Sequence, residues 1–183
     1  MLRRRKAKDP IATIDATLVD EPWRSSVVAA LQARAQFADV ARSVAKGPLR
    51  DRIDEIGARV DAGVLASWDT AQRGSQGAKL LASLDPDAIT AQLKDAKRRN
   101  PDGGPEVDAL TAQFDAVNKL WDGVDSAGEQ LRLLDLRLGA AVARVAALAI
   151  AARTPDDLDA ADAELTAVVD ELGALSSALD DVR

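Results

Sequence analysis

Asp135 is the residue whose type and position most need a chemical reason. It lies in a stripe of Leu131, Asp135, Leu138, Val142 and Val145, spaced three or four residues apart and otherwise apolar. That spacing places them on one face of a helix. A carboxylate on such a face is costly unless it reaches water, takes a hydrogen-bond donor or sits in a less buried layer. Trp68 and Arg132 are the candidate donors. A lone polar residue in an apolar seam commonly fixes register or partner number. That role, or exposure at an edge, is expected of Asp135 in preference to catalysis.

Other chemistry is sparse. The chain has no His, Cys or Tyr, which removes the commonest general base, the thiolate nucleophile and the usual transition-metal ligands. Ser43-Val44-Ala45-Lys46 has the S-x-x-K spacing in which a lysine activates a serine. No companion motif accompanies it, and chance supplies such a tetrapeptide in about one chain in three of this composition. The acids Asp156, Asp157, Asp159, Asp162, Glu164, Asp170, Glu171, Asp180 and Asp181 are spread around a helix, without the loop spacing that gathers oxygens on a cation. They are expected to form a solvated face. No phosphate loop, dinucleotide glycine motif or nucleophile elbow is present. No catalytic, cofactor-binding or metal-ligating residue is therefore expected, and the protein reads as a non-enzyme without a cofactor.

Two groups suggest contact with a partner. Lys94, Lys97, Arg98 and Arg99 crowd one helix end, where positive charge already suits the helix dipole and where an acidic partner could dock. Phe114 and Trp121 lie on an apolar stripe whose cover is not evident. Trp121-Asp122-Gly123 resembles the W-x-G turn signature of the small secreted helical hairpins. That family turns at the tripeptide and carries a Tyr-based tail signal, whereas here the apolar phase runs straight through Trp121 and there is no Tyr. Trp121 is expected instead as a core residue within a helix.

The elements that position these groups are helices. Leu158, Ala161, Leu165, Val168, Leu172, Leu175, Leu179 and Val182 alternate steps of three and four, a sustained seam facing a partner helix. Thr154-Pro155-Asp156-Asp157 marks its start with a hydroxyl cap, a proline at the first helical position and acids in the first turn. Folding at Pro155 lays this seam against Gly128, Leu131, Asp135, Leu138, Val142, Val145, Ala149 and Ala152, layer upon layer, with arginines of one arm facing acids of the other. Upstream, Gly47-Pro48 separates two helices expected to pack antiparallel, with Val27, Val28, Leu31, Phe37, Val40 and Val44 on the first meeting Ile53, Ile56, Val60, Val64 and Trp68 on the second. Asp85-Pro86 starts a short helix ending near Arg99, and Asn100-Pro101-Asp102-Gly103-Gly104-Pro105 is the clearest loop. Pairing across that loop sets Leu93 opposite Leu110 and Ile89 opposite Phe114. The same register carried through Pro86 sets Trp68 opposite Asp135.

The expected fold is all-α, an elongated antiparallel helical bundle of coiled-coil hairpins. Residues 1–9 form a disordered basic tail, and 10–183 a single helical domain with a hairpin at 22–84, a short helix at 86–99 and a long hairpin at 106–182. A short helix from Asp9-Pro10 to about Val19 precedes these. With 183 residues and a net charge of −6, the chain can bury a real core and is poorly suited to gripping nucleic acid. The Ala, Arg and Asp bias is that of a GC-rich bacterial genome. No apolar run is long enough to span a membrane, and a cytoplasmic location is expected. The function expected is a scaffold or adaptor for protein–protein interaction, self-associating through flat faces such as Ala140, Ala143, Ala147 and Ala151. The alternatives are a peripheral membrane protein held weakly by the basic N-terminus, and a helical small-molecule-binding regulator or enzyme lacking His and Cys chemistry.

Overall fold

The computed structural model describes residues 9–151 and 154–181. Those residues form an all-α fold of five helices packed together, with no strand among them. The helices are α1 (Trp23–Ser43), α2 (Pro48–Ser83), α3 (Pro86–Arg99), α4 (Pro105–Ala151) and α5 (Asp159–Asp181). Residues 1–8 of the basic tail expected at 1–9, together with Ala152 and Val182 of the expected seam, lie outside the described residues, whereas Asp9 is placed and pairs with Arg34 at 3.0 Å.

The punctuation of the chain explains where each helix begins. Gly47 adopts a φ of 150°, which side chains disfavour, and Pro48 then occupies the first position of α2, where its missing N–H costs nothing. Asp85, at a φ of 47°, turns α2 into α3 and accepts a 3.1 Å hydrogen bond from the Ala88 amide. Gly103 and Gly104 supply the positive φ of the loop into α4. Before α5, Thr154 and Asp157 form a reciprocal capping box around Pro155. The segment from Asp9 to Val19 differs from expectation. It forms two single 3-10 turns, Ile11–Thr13 and Ala16–Leu18, instead of one helix. It buries Ile11 and Val19 while Leu18 stays exposed.

Four helices, α1, α2, α4 and α5, share one continuous core. Its deepest members include Ile53, Ile56, Val60 and Val64 from α2, Leu131, Leu138, Val142 and Val145 from α4, and Leu165, Val168 and Leu172 from α5. Polar contacts give the directions. Arg137 binds Glu171 at 2.5 and 3.0 Å, and Arg144 pairs with Glu164, so α4 and α5 run antiparallel. Arg52 with Asp159 (2.8 Å) and Ser176 with Asp69 (2.7 Å) keep one constant offset, so α2 and α5 run parallel. Glycines on α2 let its neighbours come close. The Trp23 indole lies directly over Gly74, and Phe37 lies over Gly57. Of Val27 and Val28, both expected in the α1 core face, Val27 is buried and Val28 is exposed.

The first half of α4 lies beyond this core. There α3 covers it through two small clusters, one around Leu81, Ile89 and Val117 with Phe114 against it, the other around Leu93, Ala96 and Val107 with Leu110 against it.

Candidate interaction surface

The expected seam residues occupy the interior. Leu131, Asp135, Leu138, Val142, Val145, Leu158, Leu165, Val168, Leu172 and Leu175 are buried, and Leu179, near the end of α5, is half-buried. Asp135 is the polar exception. It is 3% exposed, so it is not an edge residue. Its Oδ1 accepts a 2.6 Å hydrogen bond from the Ser67 hydroxyl of α2, and buried Ser26 of α1 faces the same carboxyl, while Oδ2 makes no hydrogen bond of ordinary geometry. The donor is thus Ser67, the neighbour of the expected Trp68, and Arg132 points outward. Burial pushes the Asp135 carboxyl up to about 6, partly opposed by the two serine hydroxyls. The carboxyl thus lies between α1, α2 and α4, with the Ser67 and Ser26 hydroxyls as its polar neighbours.

The remaining candidates separate. Lys94, Lys97, Arg98 and Arg99 are exposed at the end of α3, where Arg99 binds Glu106 at 2.9 Å and Arg98 lies 3.4 Å from Asp95. Phe114 is half-buried under α3. Trp121, expected in the core, is 57% exposed and walls a hollow of about 320 Å³ with Ala78, Leu81, Ala82, Pro86, Val124 and Asp125. The helix runs through Trp121-Asp122-Gly123 without a turn. Ser43 spends its hydroxyl on the Val40 carbonyl at 2.7 Å, and Lys46 lies beyond the helix end. Asp162, expected on a solvated face, is buried at 2.9 Å from Arg52 and 3.0 Å from Arg59. Among the described residues no group of acids is placed to hold a metal ion, and no helix is long and apolar enough to cross a membrane.

A second apolar surface lies on α4 itself. Its inward stripe is buried, yet a second stripe faces out: Leu133, Leu136, Ala140, Ala143, Ala147 and Ile150, all exposed. Their steps again alternate three and four. Leu133 and Leu136 are 57% and 59% exposed, and Ile150 is 84% exposed. No charge interrupts this stripe. Its flanking arginines, Arg137 and Arg144, turn aside to Glu171 and Glu164. A helix that is apolar on both faces is normally covered on both. Sequence pattern alone found the alanines of this stripe. The leucines and Ile150 were hidden because two heptad phases overlap in one helix, and only the packing shows which phase the core uses.

Compared with known proteins, the chain matches no family model, no curated protein and no solved structure.

Proposed function

We propose that the protein is a non-enzymatic scaffold or adaptor that acts by presenting helical surface to protein partners. The observation that carries this is the outward stripe of α4 from Leu133 to Ile150, an exposed apolar heptad on a helix already buried on its other face. Soluble chains seldom leave such a contiguous face in water unless it meets another surface. An apolar helix face pairs by steps of three and four, the repeat present here. The polar interior of the molecule supports the same view, since Asp135, Ser67 and Ser26 hold helices together instead of lining a cleft.

The test is site-specific photo-crosslinking in the cells that make the protein. A photoreactive residue at Leu136 is expected to give adducts to protein, while the same residue at Asn118, exposed earlier on α4, gives none. No adduct at 136, or equal labelling at both positions, would overturn the proposal.

A further inference from the structure

We infer that the partner of this face is a second copy of the chain, with the two α4 helices packed antiparallel about a two-fold axis between Ala140 and Ala143. This rests on the interaction role proposed above and adds the identity and orientation of the partner.

The stripe is complementary to itself when reversed. Antiparallel pairing about that axis sets Ala140 opposite Ala143, Leu136 opposite Ala147 and Leu133 opposite Ile150. Small residues meet at the centre, where backbones must approach, and a large residue faces a small one in the next layer. The ends match in shape. Ile150 is the most exposed large apolar side chain of the stripe, at 84%. At the level of Leu133 lies an open groove of about 400 Å³ between α4 and α5, lined by Leu133, Leu134, Leu175 and Ala178 together with the paired Arg137 and Glu171. One two-fold seats the Ile150 of each copy at the groove of the other, which is the isologous arrangement expected of a homodimer.

The rim charges agree. The axis brings Arg137 of one copy near the level of Arg144 of the other, and each guanidinium already holds its own carboxylate, Glu171 or Glu164. Two positive and two negative charges then meet on either side of the two-fold, along the α5 side of the interface. A parallel pairing would instead set each residue beside its own copy, with Ile150 against Ile150 and no knob at the groove.

Size sets the expected strength. From Leu133 to Ile150 the face is about 26 Å long at 1.5 Å per residue. A strip of that length and one helix wide buries on the order of 500 Å² per copy, at the low end of specific interfaces. The dimer is therefore expected to be concentration-dependent, in the micromolar range.

The chain has no cysteine, so single-cysteine variants report orientation directly. Sedimentation equilibrium of the full chain should show monomer passing to dimer, and Ala143→Glu should raise the dissociation constant about 100-fold by placing carboxylates face to face at the axis, with helical content unchanged. With a short bis-maleimide linker, Ala143→Cys should cross-link to itself. Ile150→Cys should not, since its two copies lie about 25 Å apart along the axis. A mixture of Leu133→Cys and Ile150→Cys should cross-link. A monomer at every concentration, a dimer indifferent to Ala143→Glu, or self-linking of Ile150→Cys without the mixed product would overturn the inference. A monomer whose position 136 still gives adducts to other proteins overturns the homodimer alone, while loss of all adducts at 136 overturns the interaction role as well.

Discussion

Replacing Asp135 by Asn should remove a specific pH dependence of stability. The carboxyl, ordinarily near 3.8, is raised to about 6 in the folded protein, chiefly by burial. Between those values the unfolded chain has released the proton while the folded chain keeps it. The folded state thus binds more protons, and stability falls as pH rises through that window. Full passage through it costs roughly 3 kcal/mol at 1.36 kcal/mol per pH unit, most of which accrues between pH 4 and 7.5. Other carboxylates titrate in the same range, so the informative quantity is the difference between variant and wild type. Asn retains the shape and an oxygen that can accept from Ser67, and it does not ionise. Urea unfolding at pH 4, 5, 6 and 7.5 should show the Asn variant gaining on wild type by about 2 kcal/mol across the series, with the change centred between pH 4 and 6. A difference constant with pH would refute the claim that burial raises the proton affinity of this carboxyl in the folded state. Because Asp135 faces α1 and α2 and not the outer stripe, the variant should leave assembly unchanged.

Glycine positions offer an opposed pair. Gly74→Ala places a methyl inside the buried Trp23 indole and should cost about 1–3 kcal/mol, whereas Gly123→Ala meets nothing within 4 Å in the same kind of helix interior and should gain up to about 1 kcal/mol; urea midpoints of the two variants compare them directly. Asp162→Ala removes the shared partner of Arg52 and Arg59 and should lower unfolding free energy by about 1–2 kcal/mol, tempered because both guanidiniums keep some solvent. Asp170→Ala, on the exposed face of α5, should change it by less than about 0.5 kcal/mol, and equal effects for the two acids would show that Asp162 is an ordinary surface charge.

The interior was legible wherever one residue pattern had one meaning. The apolar steps from Ala161 to Leu172 named the buried face of α5, and the proline and aspartate caps marked most helix starts. Asp135 stood out as a misfit because every neighbour in its stripe is apolar. Its donor did not, because the register was carried through the α2–α3 junction. There Asp85 takes a left-handed backbone, and the pairing of α2 with α4 slips by one residue, from Trp68 to Ser67. The burial of Asp162 depends on two arginines far upstream, brought alongside only when α2 and α5 pack parallel. Trp121 followed the apolar phase of α4 yet ended in solvent, since it falls where α2 gives way to α3 and neither helix covers it. The outer stripe of α4 was half visible for a related reason, because a sequence with two apolar phases does not reveal which phase faces inward.

One helix spans two very different surroundings. From Ala127 to Ala149, α4 is embedded among three other long helices, whereas from Val107 to Val117 it is held by α3 through a few apolar side chains. Unbroken backbone does not make it one cooperative unit. Amide protons near Val107–Leu120 should exchange through local opening of α3 at low free energy, while those near Leu131–Val145 wait for global unfolding. Along a single continuous element, protection would then rise in a step near Val124, dividing the molecule into a fast-opening head and a slow-opening body with no loop between them.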